Sequence, residues 1–255
     1  MRRRPKIAVL AAMGLAAVAL VAYGVRSILF DDESEPVSAG EAAGGLELAG
    51  GEARRVNGAP VPPSGAYEYA TEGEERLEAF VSATHAYPEL TTITVSRGGC
   101  GVLMRWIPLE QRQSEWDLCP GRERWGLASL FEIHEFFGQR DERTYECVDG
   151  VAFQPAGRWS YRCGFESRTD AFEGRVLGTE TVMVGGRRVR TLHVLETDSL
   201  SGEEEGSGSV ETWYRRDGLL VRRVATTRDR TPVPGGTGTY SERYELRLVS
   251  LRPLR

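Results

Sequence analysis

The chain has 255 residues, of which 27% are charged and 40% hydrophobic, and its formal net charge is −5. Five of the 32 basic residues and none of the 37 acidic residues lie before residue 31, which leaves the rest of the chain with a net charge of about −10. This acidic balance argues against a nucleic-acid partner, because phosphate binding requires a basic face.

The N-terminus combines a basic cluster with an uncharged apolar run. Residues 1–6 hold four of the basic residues, and residues 7–25 carry no charge. About 20 apolar residues cross the ~30 Å hydrocarbon core of a bilayer, and basic residues keep the adjoining end in the cytoplasm. We predict a cytoplasmic tail at 1–6 and a transmembrane signal-anchor at 7–29. A cleaved secretory signal, cut after Ala17-Val18-Ala19, is the alternative. Both place the remainder outside the cytoplasm, and the first makes it a single-pass protein of the cell membrane.

The segment at 30–65 differs in composition from the C-terminal part of the chain. It is acidic at first and then rich in Ala, Gly, Glu and Pro. Such a sequence has too little apolar surface to offset its ordering entropy, so we predict a flexible, disordered linker. Residues 66–255 are then one extracytoplasmic domain.

The domain shows mostly a two-residue periodicity, as half-buried strands do. Gly185-Gly186 and Asp217-Gly218 each lie between apolar runs and predict tight hairpins. Helical spacing at 74–81 and 126–137 predicts one or two short helices. The fold class is therefore mainly β: a curled antiparallel sheet or half-barrel with one or two short helices, preceded by a transmembrane helix and a linker. The predicted strands include 67–71, 92–95, 102–107 and 240–248.

Four cysteines lie in the exported region, and an even number outside the cytoplasm indicates two disulfides. The spacing favours Cys100 with Cys119 and Cys147 with Cys163, because each pair brackets a stretch of hairpin length. A zinc site is the rival interpretation. The chain has no Cys-x-x-Cys motif and no histidine near the cysteines at ligand spacing, so no metal is expected.

Two parts of the exported region resemble known families. The hairpin sequence at 176–194, followed by Trp213-Tyr214 and Asp217-Gly218, is similar to envelope proteins of the lipoprotein-carrier superfamily. Those proteins are curled antiparallel half-barrels, and the resemblance implies that acyl chains bind to the concave face. The earlier part, with Gly99-Cys100-Gly101 and Phe136-Phe137-Gly138, resembles uncharacterised membrane-anchored proteins of actinobacteria. The second resemblance implies no catalytic residues.

The sequence contains no recognisable catalytic motif: no Gly-x-Ser-x-Gly elbow, no His-Glu-x-x-His, no phosphate loop and no dinucleotide fingerprint. Its three histidines, His85, His134 and His193, are far apart in sequence. We expect no cofactor and no enzymatic activity. An enzyme would require His134 to meet a carboxylate and a nucleophile in one cleft.

Aromatic residues are the better indication of function, although they could also simply fill the core. On the lipid-binding interpretation, a curled sheet places several of them around an apolar ligand. The alternative is an interaction or structural module with a filled core that contacts an envelope protein. A cavity of a few hundred Å³ would distinguish the two. The candidate lining residues are Trp106, Phe131, Phe136, Phe137, Trp213 and Tyr244.

Overall fold

The structure is a computed structural model that describes residues 32–44, 54–233 and 236–254. Within these ranges it contains one helical turn, α1 (Ala39–Ala42), and sixteen strands. The strands are β1 Arg54–Val56, β2 Ala59–Val61, β3 Gly65–Glu78, β4 Ser82–Ala86, β5 Leu90–Ser96, β6 Val102–Leu109, β7 Arg112–Cys119, β8 Trp125–Phe136, β9 Gln139–Val148, β10 Val151–Phe153, β11 Arg158–Phe165, β12 Arg168–Val184, β13 Arg187–Ser201, β14 Glu205–Tyr214, β15 Leu220–Val233 and β16 Gly236–Leu248.

Twelve of these strands form a closed antiparallel barrel. The order around the ring is β8-β7-β6-β5-β3-β16-β15-β14-β13-β12-β11-β9, and β9 pairs again with β8. Strands β4 and β10 pair with β3 and β8 respectively. The predicted mainly β architecture is confirmed, but the half-barrel is corrected to a closed ring. The ring is completed at a seam where β9 pairs with β11 over three register positions, Glu146–Val148 with Arg162–Gly164.

The strands form where the sequence alternates, because successive side chains point to opposite faces of the wall. Tyr67 and Tyr69 on β3 are fully buried, and Tyr244, Leu246 and Leu248 on β16 alternate with more accessible neighbours. Both predicted hairpins are present. Gly185 and Gly186 connect β12 to β13 with φ of 52° and 75°, the left-handed region that favours glycine.

Neither predicted helix is present. Residues 74–78 belong to β3, and 126–136 belong to β8. In β8 the apparent helical spacing has a local cause. An extra residue, Ala128, interrupts the pairing with β7, so Leu127 and Leu130 both face the interior although they are three residues apart. At the other site, Leu77 is buried on β3 while Phe80 lies in the following turn and is 84% exposed.

The interior is packed in one half of the barrel. Trp106 is fully buried there, in edge contact with Tyr87 and at 4.7 Å from the Tyr244 ring.

Both predicted disulfides, Cys100–Cys119 and Cys147–Cys163, are confirmed. The turns after β12 and β14 lie at the packed end. The turns after β3, β8 and β13 lie at the opposite end, which we call the mouth.

Part of the range predicted as a linker is ordered against the barrel. Pro36 forms a β-bridge with Leu109, and the backbone N–H of Glu110 donates to the carbonyl of Glu35 at 2.9 Å. Helix α1 begins with a capping box, in which Ser38 and Glu41 bond each other's backbone. Strands β1 and β2 form a separate small hairpin.

The predicted cytoplasmic tail at 1–6 and signal-anchor at 7–29 lie outside the described residues. Among the residues that are described, no helix has the length and apolar character needed to cross a bilayer.

Candidate functional site

The half of the barrel next to the mouth is hollow. Its cavity has a volume of about 650 Å³ and extends from the mouth turns down to Tyr244. That volume falls within the range of ~300–1,000 Å³ typical of small-molecule sites. The walls come from nine of the twelve strands of the ring, so the cavity is the lumen itself rather than a surface groove.

The lumen stays open because several inward-facing positions carry small side chains. Ser114, Ala225 and Thr227 line it where larger residues would fill it. On β14, Gly206 and Gly208 leave space for carboxylates of the neighbouring strands. A Cβ at Gly206 would collide with Asp229, and one at Gly208 with Asp198.

A buried polar network forms one wall of the lumen. The Glu75 carboxylate is completely buried and lies 2.9 Å from His85 Nδ1 and 3.1 Å from His134 Nδ1. The Tyr240 hydroxyl donates to it at 3.1 Å. Burial opposes its charge, but the two histidines lower the pKa of Glu75 to about 2.

His134 is the histidine of this network that faces the lumen. Burial and the Arg112 charge disfavour its protonated form, yet the carboxylates of Glu132 and Glu75 raise its pKa to about 9. The ring is therefore an imidazolium at neutral pH. A cation held between two carboxylates is poorly suited to act as a general base.

Arg112 supplies the second cation of the same wall. It is 1% exposed, and its Nε donates to Glu242 Oε1 at 2.9 Å. The Ser114 hydroxyl accepts from Arg112 Nη1 at 2.7 Å, and the Tyr87 hydroxyl donates to Glu242. Because each buried charge has a partner, this network is fixed in place.

Three acidic residues face the lumen from the opposite wall. Asp170, Asp198 and Asp229 lie on β12, β13 and β15. Burial is the main cause that raises their pKa values; repulsion from Asp198 adds to it for Asp170 and Asp229, and repulsion from Glu132 adds to it for all three. The pKa values are about 8 for Asp170, about 6 for Asp198 and about 7 for Asp229. Near neutral pH this wall is only partly ionised, so it presents hydrogen-bond donors as well as acceptors.

A narrower apolar space of about 60 Å³ continues from the lumen toward the packed half. Arg223 marks the transition, with its Nε donating to the Tyr244 hydroxyl at 3.0 Å. Its guanidinium carbon lies 5.1 Å from the centroid of the Trp116 ring. The site thus combines a charged middle zone with aromatic and aliphatic surfaces above and below it.

The six aromatic candidates occupy three kinds of position. Phe136, Phe137 and Tyr244 line the lumen. Trp106 is buried in the packed half. Phe131 and Trp213 lie on the outer face of the wall, because their immediate neighbours on β8 and β14 line the interior. Trp213 is nevertheless only 4% exposed, because it packs between His193 and Arg222.

The histidines do not converge as a group. His85 and His134 share Glu75, whereas His193 lies on the outer face between Glu180 and Glu211, at 2.7 Å from each.

Three charged residues of the network, Glu75, Arg112 and Glu242, were not among the candidates predicted from sequence. Each lies in a polar stretch typical of a solvated strand face, and nothing in its spacing indicates burial.

No family model matches the chain, and neither does any curated protein. Among solved structures, the crystal structure of the hypothetical lipoprotein YmcC from Escherichia coli K12 is similar, with 13% sequence identity and a TM-score of 0.33. The alignment covers 88% of this chain and 95% of that one. At this identity and TM-score, the similarity carries no conclusion about function.

Proposed function

We propose that the chain is a membrane-tethered, extracytoplasmic binding domain that holds an amphipathic small molecule, such as a lipid, inside the barrel. The observation that carries this proposal is the lumen of about 650 Å³. A filled barrel would instead favour the alternative of an interaction or structural module.

The lining supports an amphipathic ligand rather than a purely apolar one. Phe136, Phe172 and Leu200 offer apolar surface, and burying a ligand's apolar area there contributes about 25 cal/mol per Å². Asp170, Asp198 and Asp229 form a polar wall at mid-depth. A molecule with an apolar body and a polar group that exchanges hydrogen bonds with carboxyls fits both zones.

The same lining supports binding without catalysis. Arg112 and Glu242 are paired, and His134 is held as a cation between Glu75 and Glu132. Among the described residues, the Ser114 hydroxyl lies in the same wall. It is hydrogen-bonded to Arg112 rather than to His134. In the part of the chain that the structure describes, no serine or threonine hydroxyl of this wall is hydrogen-bonded to His134, as a nucleophile–base pair for acyl transfer would require.

Filling the lumen tests the proposal. Ala225 is 4% exposed and lines the cavity, whereas the adjacent Thr226 is exposed on the outer face. The neutral probe N-phenylnaphthylamine increases its fluorescence in apolar cavities. We expect the full chain to bind it, Ala225→Trp to weaken binding at least tenfold, and the control Thr226→Trp to leave it unchanged. Equal binding by wild type and Ala225→Trp would contradict a luminal site.

A further inference from the structure

One side of the mouth is apolar. Phe80 projects from the β3–β4 turn and is 84% exposed, with Val81 beside it. Below them lies a separate hydrophobic cluster, distinct from the main core. It consists of Leu77, Ala83 and Phe136, with Phe137, Val233 and Tyr240 packed against it.

The other side of the mouth is acidic. Glu166 in the β11–β12 turn and Glu203 in the β13–β14 turn are both exposed. Glu204 is buried there and pairs with Arg143 at 2.7 Å and with Arg168 at 3.3 Å. The apolar side of the mouth therefore suits an apolar environment, and the acidic side suits water.

The N-terminal segment is fixed on the apolar side. Asp32 Oδ2 lies 3.1 Å from His85 Nε2, and the His85 ring stacks on Phe136 at 4.5 Å. The backbone N–H of Val37 donates to the carbonyl of Pro108 at 3.3 Å, which holds the next residues along the β6–β7 hairpin.

This attachment limits the distance between the mouth and the membrane. The predicted transmembrane segment ends at residue 29, three residues before Asp32. An extended chain spans at most about 3.6 Å per residue, so three residues reach about 10 Å. Asp32 and the adjoining His85 are then held within that distance of the end of the span, which places this side of the barrel next to the bilayer.

We propose that the apolar side of the mouth rests on the lipid bilayer that anchors the chain, with Phe80 and Val81 inserted among the lipids. Exposed apolar side chains at the point nearest the bilayer lose contact with water on insertion. The lumen then opens toward the membrane, and an apolar molecule can enter it without crossing water. This proposal rests on the predicted span at 7–29 and does not require the lumen to be occupied.

The test uses the full chain reconstituted in vesicles of phosphatidylcholine and phosphatidylglycerol. The fluorophore NBD is attached to Phe80→Cys in one sample and to Met183→Cys in another. Met183 is an exposed apolar residue, 58% accessible, at the far end of β12. The native cysteines are disulfide-bonded and do not react. Quenching is measured with lipids that carry a nitroxide near the glycerol end of the acyl chain.

We expect strong quenching and a blue-shifted emission at position 80, and neither effect at position 183. Phe80→Cys in a chain that also carries Val81→Asp should show at least twofold less quenching, because a charge opposes insertion. Absence of quenching at position 80, or equal quenching at both positions, would overturn the proposal. Either result would leave probe binding in the lumen unaffected, so the two proposals can fail separately.

Discussion

Cys147 and Cys163 face each other directly across the seam that closes the barrel. Strand β9 pairs with β11 over three register positions, and this cystine is the middle one. Nearer the mouth, Arg143 on β9 reaches Glu204 with two hydrogen bonds, of 2.7 and 2.9 Å. The ring is therefore closed by a short ladder, a disulfide and a buried ion pair.

Removing this disulfide should loosen the seam specifically. The bridges Cys147–Cys163 and Cys100–Cys119 have sequence separations of 16 and 19 residues. In the chain-entropy model, each stabilises the fold by ~3 kcal/mol. We expect both double Cys→Ala variants to lose about that much unfolding free energy. Only the Cys147→Ala/Cys163→Ala variant should show faster amide exchange in β9 and β11. Equal exchange in the two variants would contradict a special role at the seam.

Stability should fall as the pH rises above neutrality. The folded-state pKa values of Asp170, Asp198 and Asp229 are raised from 3.8 to between about 6 and about 8. Between pH 3.8 and these values the folded barrel binds more protons than the unfolded chain, and stability declines as the pH rises across that range. His134 acts in the same direction: its contribution is complete below 6.5 and is lost as the pH passes about 9.

The melting temperature at about pH 6 and about pH 8.5 measures this effect. We expect wild type to melt at a lower temperature at the higher pH. The triple variant Asp170→Asn/Asp198→Asn/Asp229→Asn should melt higher than wild type at the higher pH and depend less on pH. Glu146→Gln/Glu173→Gln, which alters two exposed carboxylates, is the control. If the control and the triple variant show the same change in melting temperature with pH, the luminal aspartates are not responsible for the pH dependence.

Replacing Glu75 should be strongly destabilising. Its carboxylate is buried between two histidines, and removing one partner of a buried charged network typically costs about 3–5 kcal/mol. We expect a loss of that size in urea unfolding of Glu75→Gln, together with a lower His134 pKa by NMR. The adjacent Glu74 is partly exposed and pairs with Arg243 on the surface. Glu74→Gln should change stability by less than ~1 kcal/mol. Similar losses in the two variants would argue against the network.

A methyl group at Gly206 should disturb the lumen. A Cβ there would overlap the Asp229 carboxylate, and overpacking of this kind costs about 1–3 kcal/mol. We expect Gly206→Ala to lower the unfolding free energy by that amount and Asp229→Ala to restore part of it in the double variant, because the Arg228 carbonyl oxygen would still lie 2.9 Å from the new Cβ. Gly236→Ala is the control, because no atom of the described residues beyond its chain neighbours lies within 4 Å of its Cβ position. Failure of the double variant to recover stability would place the strain elsewhere.

The local β structure could be predicted from the sequence because hairpin signals are local. Gly185-Gly186 needs positive φ at both residues, and alternation along 240–248 separates a buried from an exposed face. The disulfide pairing followed from spacing for the same reason. Closure of the barrel was not predictable, since it depends on β8, β9 and β11 meeting in a register that no local pattern encodes.

The candidate site was less accessible to prediction than the fold. A closed ring has an interior that tolerates polar residues, so the buried Glu75 and Arg112 occur at positions that resemble solvent-exposed ones in sequence. Conversely, Phe131 and Trp213 are aromatic yet point outward. The inner and outer faces of the barrel wall both carry polar and apolar residues. Residue type alone therefore could not show which face a side chain occupies.

The most direct test of the luminal binding site is photo-crosslinking of the full chain in the membrane of a host that forms disulfides. Leu200 lines the lumen, and the adjacent Ser199 is exposed on the outer face. Each is replaced in turn by p-benzoylphenylalanine, the membranes are irradiated, and the purified chain is weighed by mass spectrometry. A discrete adduct of lipid size at position 200 and none at position 199 is the predicted result. No adduct at position 200, or the same adducts at both, would contradict the proposed function.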